Sequence, residues 1–142
     1  MRIFPIFTTT EYNEAIKFLK KKGAVHHVVF EDWYASPNNE VFHLVHRKNK
    51  AKNSDDFAIY QVEGAARKDG YYVLNINNTS YMRHRFIMEC FNGAKPAGME
   101  IDHFDGDKAN NKLENLMFVT HTENMRRYWR RRNEQSRETL KI

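Results

Sequence analysis

From Met99 to Met125 the chain reads Met-Glu-Ile-Asp-His-Phe-Asp-Gly-Asp-Lys-Ala-Asn-Asn-Lys-Leu-Glu-Asn-Leu-Met-Phe-Val-Thr-His-Thr-Glu-Asn-Met. Four of these side chains are of types that can do chemistry together: Asp102, His103, Asn115 and Asn124. A hard divalent cation such as Mg²⁺ takes oxygen ligands and keeps much of its shell as water or phosphate. One carboxylate (Asp102) and one amide oxygen (Asn124) suit it. His103, with an ordinary imidazole pKa near 6.5, can take a proton from water near neutrality. Asn115 can orient that imidazole. A base that activates water and a cation that stabilises charge on the phosphate and the leaving oxygen are nearly all that phosphodiester hydrolysis requires.

These four side chains converge only if particular elements position them. The pattern places Asp102 and His103 on a short strand over 101–104, followed by a tight polar loop from Asp105 to Lys112. A second short strand then runs over 116–119, and Thr120 or Thr122 caps a final helix that carries Asn124 into the 130s. Adjacent residues on an ideal strand face opposite ways, so the strand must end or bend at Asp102-His103, where Gly106 and its flanking acids follow closely. Upstream, Met82, Phe86, Ile87, Cys90 and Phe91 form a helical stripe that stops at Asn92-Gly93. Cys90 on that stripe reads as an inert core thiol.

The first half is less informative. Thr8-Thr-Thr-Glu11 resembles a capping box opening a helix over roughly 9–22, with Tyr12, Ala15, Ile16 and Leu19 on one face and Gly23 closing it. Strands are expected over 25–33, 40–46, 57–64 and 71–77. Ser36-Pro-Asn-Asn39 forms the turn between the first pair and Lys68-Asp-Gly70 a hairpin between the last pair. Residues 48–56 read as a charged loop and 134–142 as a frayed end.

The chain has 142 residues with 23 Lys and Arg against 18 Asp and Glu, a formal charge of +5. A mean hydropathy of −0.79 and a pI near 9.3 describe a polar, mildly basic surface. The length suits about one domain with an extension. One cysteine excludes a disulfide framework and a cysteine zinc site. No apolar run is long enough for a bilayer-spanning helix and the N-terminus does not read as a signal peptide, so a cytoplasmic protein with no membrane partner is expected. Charge is concentrated: Arg126, Arg127, Arg130, Arg131 and Arg132 interleave with Tyr128 and Trp129, a mixture suited to phosphate contact and base or sugar packing. A second basic run spans His46 to Lys52.

Asp102-His103, Asp105-Gly106, Asn110-Asn111, Glu114-Asn115-Leu116 and Glu123-Asn124-Met125 together resemble the HNH, or ββα-metal, endonuclease motif. The closest variant is that of phage-encoded and group I intron homing endonucleases. The resemblance extends to His84-Arg-Phe-Ile-Met-Glu-Cys-Phe91 and to Asp69-Gly-Tyr-Tyr-Val-Leu-Asn-Ile76, covering about residues 69–127. It implies an α+β protein: a helix-plus-strands region over 1–68 expected to supply DNA binding and sequence preference, an HNH module over 69–132 with a basic C-terminal helix, and a tail over 133–142. It also implies that Asp102 and Asn124 ligate one Mg²⁺ (Mn²⁺ substituting), that His103 is the general base, and that Asn115 holds His103. The family's third letter is a histidine, where this chain has Asn124 as the homing branch commonly does; His121, one turn earlier, is an alternative ligand. Double-stranded DNA is the implied partner, contacted by Arg126, Arg127, Arg130, Arg131 and Arg132, and by Arg85, Arg47 and Lys48 more remotely. Packing or a phosphate contact is open for His84 and Arg85, and a second backbone contact or a plain soluble loop for Arg47–Lys52. Restriction or packaging nucleases share such a motif, and a non-cleaving DNA-binding protein could retain the fold.

Overall fold

The computed structural model describes residues 4–140. Five antiparallel strands come first: β1 (Phe7–Thr9), β2 (Val25–His26), β3 (Trp33–Ser36), β4 (Glu40–Asn49) and β5 (Ser54–Gln61), ordered β1-β5-β4-β3-β2. Side chains alternate across the sheet. Tyr34, Phe42, Leu44 and Ile59 pack with Ala15 and Leu19 of α1 (Tyr12–Lys21). Trp33, Ala35 and Val41 enter a second cluster shared with the rest of the chain.

That second cluster is completed by Leu74 and Ile76 of β7 (Tyr72–Ile76), by Phe86, Ile87, Met88 and Cys90 of α2 (Arg83–Asn92), and by Leu116. It therefore crosses the boundary expected near residue 68. β7 lies between β6 (Ala65–Ala66) and β8 (Thr79–Met82) in a small sheet. Asn77 and Asn78, both at positive φ, make the tight β7–β8 turn. Then come the antiparallel hairpin of β9 (Met99–His103) and β10 (Leu116–Thr120), with Asp102 opposite Met117, and the long helix α3 (His121–Leu140). The architecture is α+β, with strands, a hairpin and a basic C-terminal helix in the expected order.

Several local expectations are corrected. Thr8 and Thr9 lie in β1 rather than in a helical cap, and α1 starts at Tyr12 with no side-chain cap bond. The strand expected over 25–33 breaks after His26. His27 turns inward, and its Nδ1 accepts the backbone N–H groups of Val29 and Phe30, which fixes a turn there. The charged loop of residues 48–56 is largely strand: Arg47, Lys48 and Asn49 of β4 pair with Asp56, Asp55 and Ser54 of β5, opposite charges meeting across the ladder. β5 pairs with β4 and β1, and only the two-residue β6 reaches β7 across the Lys68-Asp-Gly70 turn. Finally, the stretch expected to fray continues α3 as helix to Leu140; Lys141 and Ile142 lie outside the described residues.

Candidate active site

The β9–β10 hairpin and α3 build the site. β9 ends at His103, where the Phe104 N–H donates to the Asn115 carbonyl and the Gly106 N–H to the His103 carbonyl, so the strand turns into the loop. Asp102 and His103 can then face different neighbours while bordering one cleft of about 250 Å³, whose lining also includes Tyr71, Lys108, Asn124, Tyr128 and Arg131. Both are buried. The Thr120 hydroxyl accepts the Glu123 N–H, starting α3 directly after β10 and fixing the rotation that presents Asn124.

His103 is held by Asn111. Its Nε2–H donates to Asn111 Oδ1 at 2.6 Å, and Asn111 is only 1% exposed. An amide oxygen can only accept, so Nε2 carries the proton and Nδ1 is the basic nitrogen of the neutral ring. The rings of His84 and Tyr71 lie 5.1 and 6.2 Å from that of His103. Burial, then the His103 charge, pushes His84 down to about 4, so His84 is a neutral packing partner beside the imidazole. Burial likewise raises the Tyr71 phenol.

Asn115 makes its side-chain bonds within the loop, while its carbonyl accepts the Phe104 N–H next to His103. Its Oδ1 accepts the Asp105 N–H, and its Nδ2 donates to Asp105 Oδ1 and to the Asn110 carbonyl. It ties the loop shut from inside and makes no bond to the His103 ring. Asp105 is the hub of that loop, accepting also from Asn110, and these bonds (Asn110 first) hold its carboxyl below the usual range.

On the other side of the cleft, Asn124 Nδ2 donates to Glu100 Oε2 at 2.5 Å. Holding the amide by its nitrogen leaves Oδ1, the only atom of that group able to ligate a cation. His121 is exposed, and its Nδ1–H donates to Glu100 Oε1 at 2.7 Å. Glu100, held down in pKa by Asn124 and then His121, is thus a supporting residue that the motif did not single out. A signal existed: Glu100 and Asp102 alternate along β9 and share a face. Asn111 was also missed as a contact of His103, its Asn-Asn pair having read as a turn.

Asp102 is tightly paired. Arg127 Nε and Arg131 Nη2 donate to its Oδ2 at 2.7 and 2.8 Å, and Arg131 Nη2 also reaches the His103 carbonyl at 2.8 Å. The two arginines, four apart, lie on the face of α3 that carries Asn124. On the opposite face, Arg126, Trp129, Arg130, Asn133 and Arg137 border a separate shallow groove, with Trp129 52% exposed. Arg132 bonds the Tyr128 hydroxyl and lies over Trp129. Away from the cleft, Arg85 pairs with Glu89 and covers the Tyr81 ring. Arg47 donates to the Tyr60 hydroxyl, and Lys48 sits opposite Asp55 in the N-terminal sheet. The structure thus brings Asp102, His103 and Asn124 to one cleft, while Asn115, Arg85, Arg47 and Lys48 engage elsewhere.

The donor set fits a hard divalent cation: one carboxylate and one amide oxygen border the same cleft. Among the described residues no group of three or more His, Cys, Asp and Glu side chains is placed to hold a metal. Few protein ligands, with water and phosphate completing the shell, is the mode Mg²⁺ prefers.

A two-stranded hairpin leads into a helix, with the Asp-His pair at the end of the first strand and an asparagine on the helix, as the resemblance to the HNH motif implied. Residues 81–126 match the family model described as HNH endonuclease. The chain is 38% identical over 55 residues to YosQ, an SPbeta prophage-derived protein of Bacillus subtilis strain 168 named for the HNH homing endonucleases. That match covers 39% of this chain, which spans about a third (32%) of the relative's length. A solved structure describing DNA binding and cleavage by the HNH homing endonuclease I-HmuI matches with a TM-score of 0.56 and 23% identity, covering 84% of this chain and 66% of that one. That likeness is one of fold, and it includes the N-terminal region that the sequence left unnamed. No helix among the described residues is long and apolar enough to cross a membrane.

Proposed function

We propose that this chain is a metal-dependent DNA endonuclease of the phage or homing type, hydrolysing phosphodiester bonds by a one-metal mechanism to 3′-hydroxyl and 5′-phosphate ends. The observation that carries the reading is the juxtaposition in one cleft of a tautomer-fixed imidazole with a carboxylate and an amide oxygen. Asp102 and Asn124 Oδ1 would hold the divalent cation, Mg²⁺ by preference and Mn²⁺ in its place. When bound, it neutralises charge on the scissile phosphate and the departing O3′. His103 Nδ1 takes the proton of the attacking water while Nε2 stays on Asn111 Oδ1, and the water oxygen bonds to phosphorus as the P–O3′ bond breaks. O3′ is protonated from solvent. Asn115 and Asp105 keep the loop that carries Asn111 in shape. The basic faces of α3 supply phosphate contacts to double-stranded DNA.

The test is cleavage of supercoiled plasmid in Mg²⁺ or Mn²⁺, beside EDTA and His103→Ala. Nicking or linearisation that requires the metal and is lost in His103→Ala, with DNA binding retained, is the expected result. Equal loss of binding refutes the role of His103 as the base, and metal-independent cleavage refutes the mechanism.

A further inference from the structure

We propose that Arg127 and Arg131 are a latch on Asp102, closing it to the cation until DNA phosphate draws them away, so that cation and DNA load the site together. The inference rests on the nuclease reading and deepens it. Asp102 has a side chain only 7% exposed, and its Oδ2 accepts from both guanidinium groups. Two full positive charges sit on one carboxylate, and Lys108 on the cleft wall adds a third, with Glu100 beside Asn124 as the opposing charge. A divalent cation approaching Asp102 in the free protein meets the positive excess that remains as repulsion. It must also share the carboxylate with the two guanidinium groups that hold its Oδ2.

The arrangement is built rather than casual. Arg131 lies directly against Gly106, whose φ is +76°. A Cβ there would come within 2.9 Å of Arg131 Cδ, so the loop leaves room for the side chain only because this residue is glycine. The same guanidinium holds the His103 carbonyl. Arg127 lies over the Phe104 ring, 5.2 Å from its centre. Guanidinium groups match phosphate in geometry as well as carboxylate, and a DNA backbone presents several phosphates in a row. A DNA backbone along the cleft offers both arginines new partners, releases Asp102 and brings the negative charge that the cation then shares. By linkage the effect is reciprocal: cation on Asp102 frees the two arginines for DNA.

The experiment measures Mn²⁺ binding by electron paramagnetic resonance, on the full chain in a His103→Ala background so that added linear plasmid DNA stays whole. Without DNA, Mn²⁺ binding is expected to be weak, and DNA to tighten it about tenfold or more. Arg127→Met/Arg131→Met is expected to bind Mn²⁺ about tenfold tighter than its parent without DNA, and to lose most of the DNA dependence. Arg131→Lys, which keeps the charge, stays weak. The single Arg127→Met and Arg131→Met variants, checked by circular dichroism, decide the matter if the double variant does not fold; each shows part of the gain. Mn²⁺ affinity that is the same with and without DNA, or unchanged in folded arginine variants, overturns the latch alone. Absence of Mn²⁺ binding in every form, DNA present, overturns the nuclease reading and the latch with it. Asp102→Asn, binding no Mn²⁺ under any condition, confirms the site being read.

Discussion

Replacing Asn111 by leucine tests how the imidazole is held. Leucine has the same branching and number of heavy side-chain atoms as asparagine but cannot accept a hydrogen bond. The substitution strips the 2.6 Å partner from His103 Nε2–H in a place where both residues are buried. An orphaned buried donor costs about 1–3 kcal/mol. Part of that is offset, because Asn111 Nδ2 has no partner of its own and leaves with the substitution. The net loss of stability is expected to be about 1–2 kcal/mol. Activity should suffer more. With neither tautomer nor ring angle fixed, the base misses the water's proton, and misplacement on that scale costs about 100-fold in rate. Asn111→Asp, which keeps an acceptor oxygen in place, should retain most of the rate. The assay is single-turnover plasmid nicking at saturating metal, with long-range ¹H–¹⁵N spectra reporting the His103 tautomer. A folded Asn111→Leu protein that nicks at the wild-type rate with Nε2 still protonated refutes the argument. So does a loss seen in Asn115→Ala with its loop intact but absent from Asn111→Leu, since that would return the orienting role to Asn115.

Three other outcomes are expected. His84 is depressed from 6.5 to about 4 by burial, so the unfolded chain takes up a proton that the folded one refuses. Stability from this residue is whole above pH 6.5 and falls by about 3 kcal/mol as pH drops to about 4; urea unfolding across that window should show the fall, and His84→Phe should flatten it. Replacing Arg126, Arg130 and Arg137 with glutamine removes the charges of the outer face of α3 and should lower the slope of log affinity for DNA against log salt by about 2–3. An unchanged slope leaves that face in solvent. Arg83, buried among the carbonyls of Asn39, Val62 and Glu63 and the amide oxygen of Asn39, should cost about 3–5 kcal/mol when changed to methionine, read as a lower melting temperature.

What the sequence made legible follows from where its signals are local. The Asp-His pair, the Asn-Gly stop after α2 and the threonine that begins α3 are read from a few neighbouring residues, and the hairpin-plus-helix they imply is present. The choice between Asn111 and Asn115 was not local. Both lie in one turn-rich loop, and only its closure through Asp105 decides which amide reaches the ring. The inward turn of Arg127 and Arg131 was hidden for a similar reason. A run of five arginines in seven residues reads as one basic patch, while a helix divides it between two faces. In the first half, the strand over 25–33 failed because a histidine side chain caps a turn in the middle of an otherwise apolar run, a bond that no periodicity announces.

The N-terminal sheet was expected to supply DNA contacts, and its β3–β4 turn also connects to the loop after β9. The Leu113 N–H donates to the Pro37 carbonyl, and Asn39 Nδ2 donates to the Ala109 carbonyl, so the β3–β4 turn grips the loop on either side of Asn111. The same turn receives Arg83 from the start of α2. Lys108 closes the third side, donating to the Asp69 carbonyl while lying over Tyr71. A loop rich in Asp and Asn has little apolar surface with which to fix itself, and its shape must come from hydrogen bonds to something rigid. Here the rigid partner is the turn of a five-stranded sheet whose two faces are both packed. The placement of Asn111 against His103 is thus set by residues more than 60 positions earlier in the chain as well as by the motif itself. Loosening the Ser36–Asn39 turn should therefore slow cleavage before it weakens DNA binding.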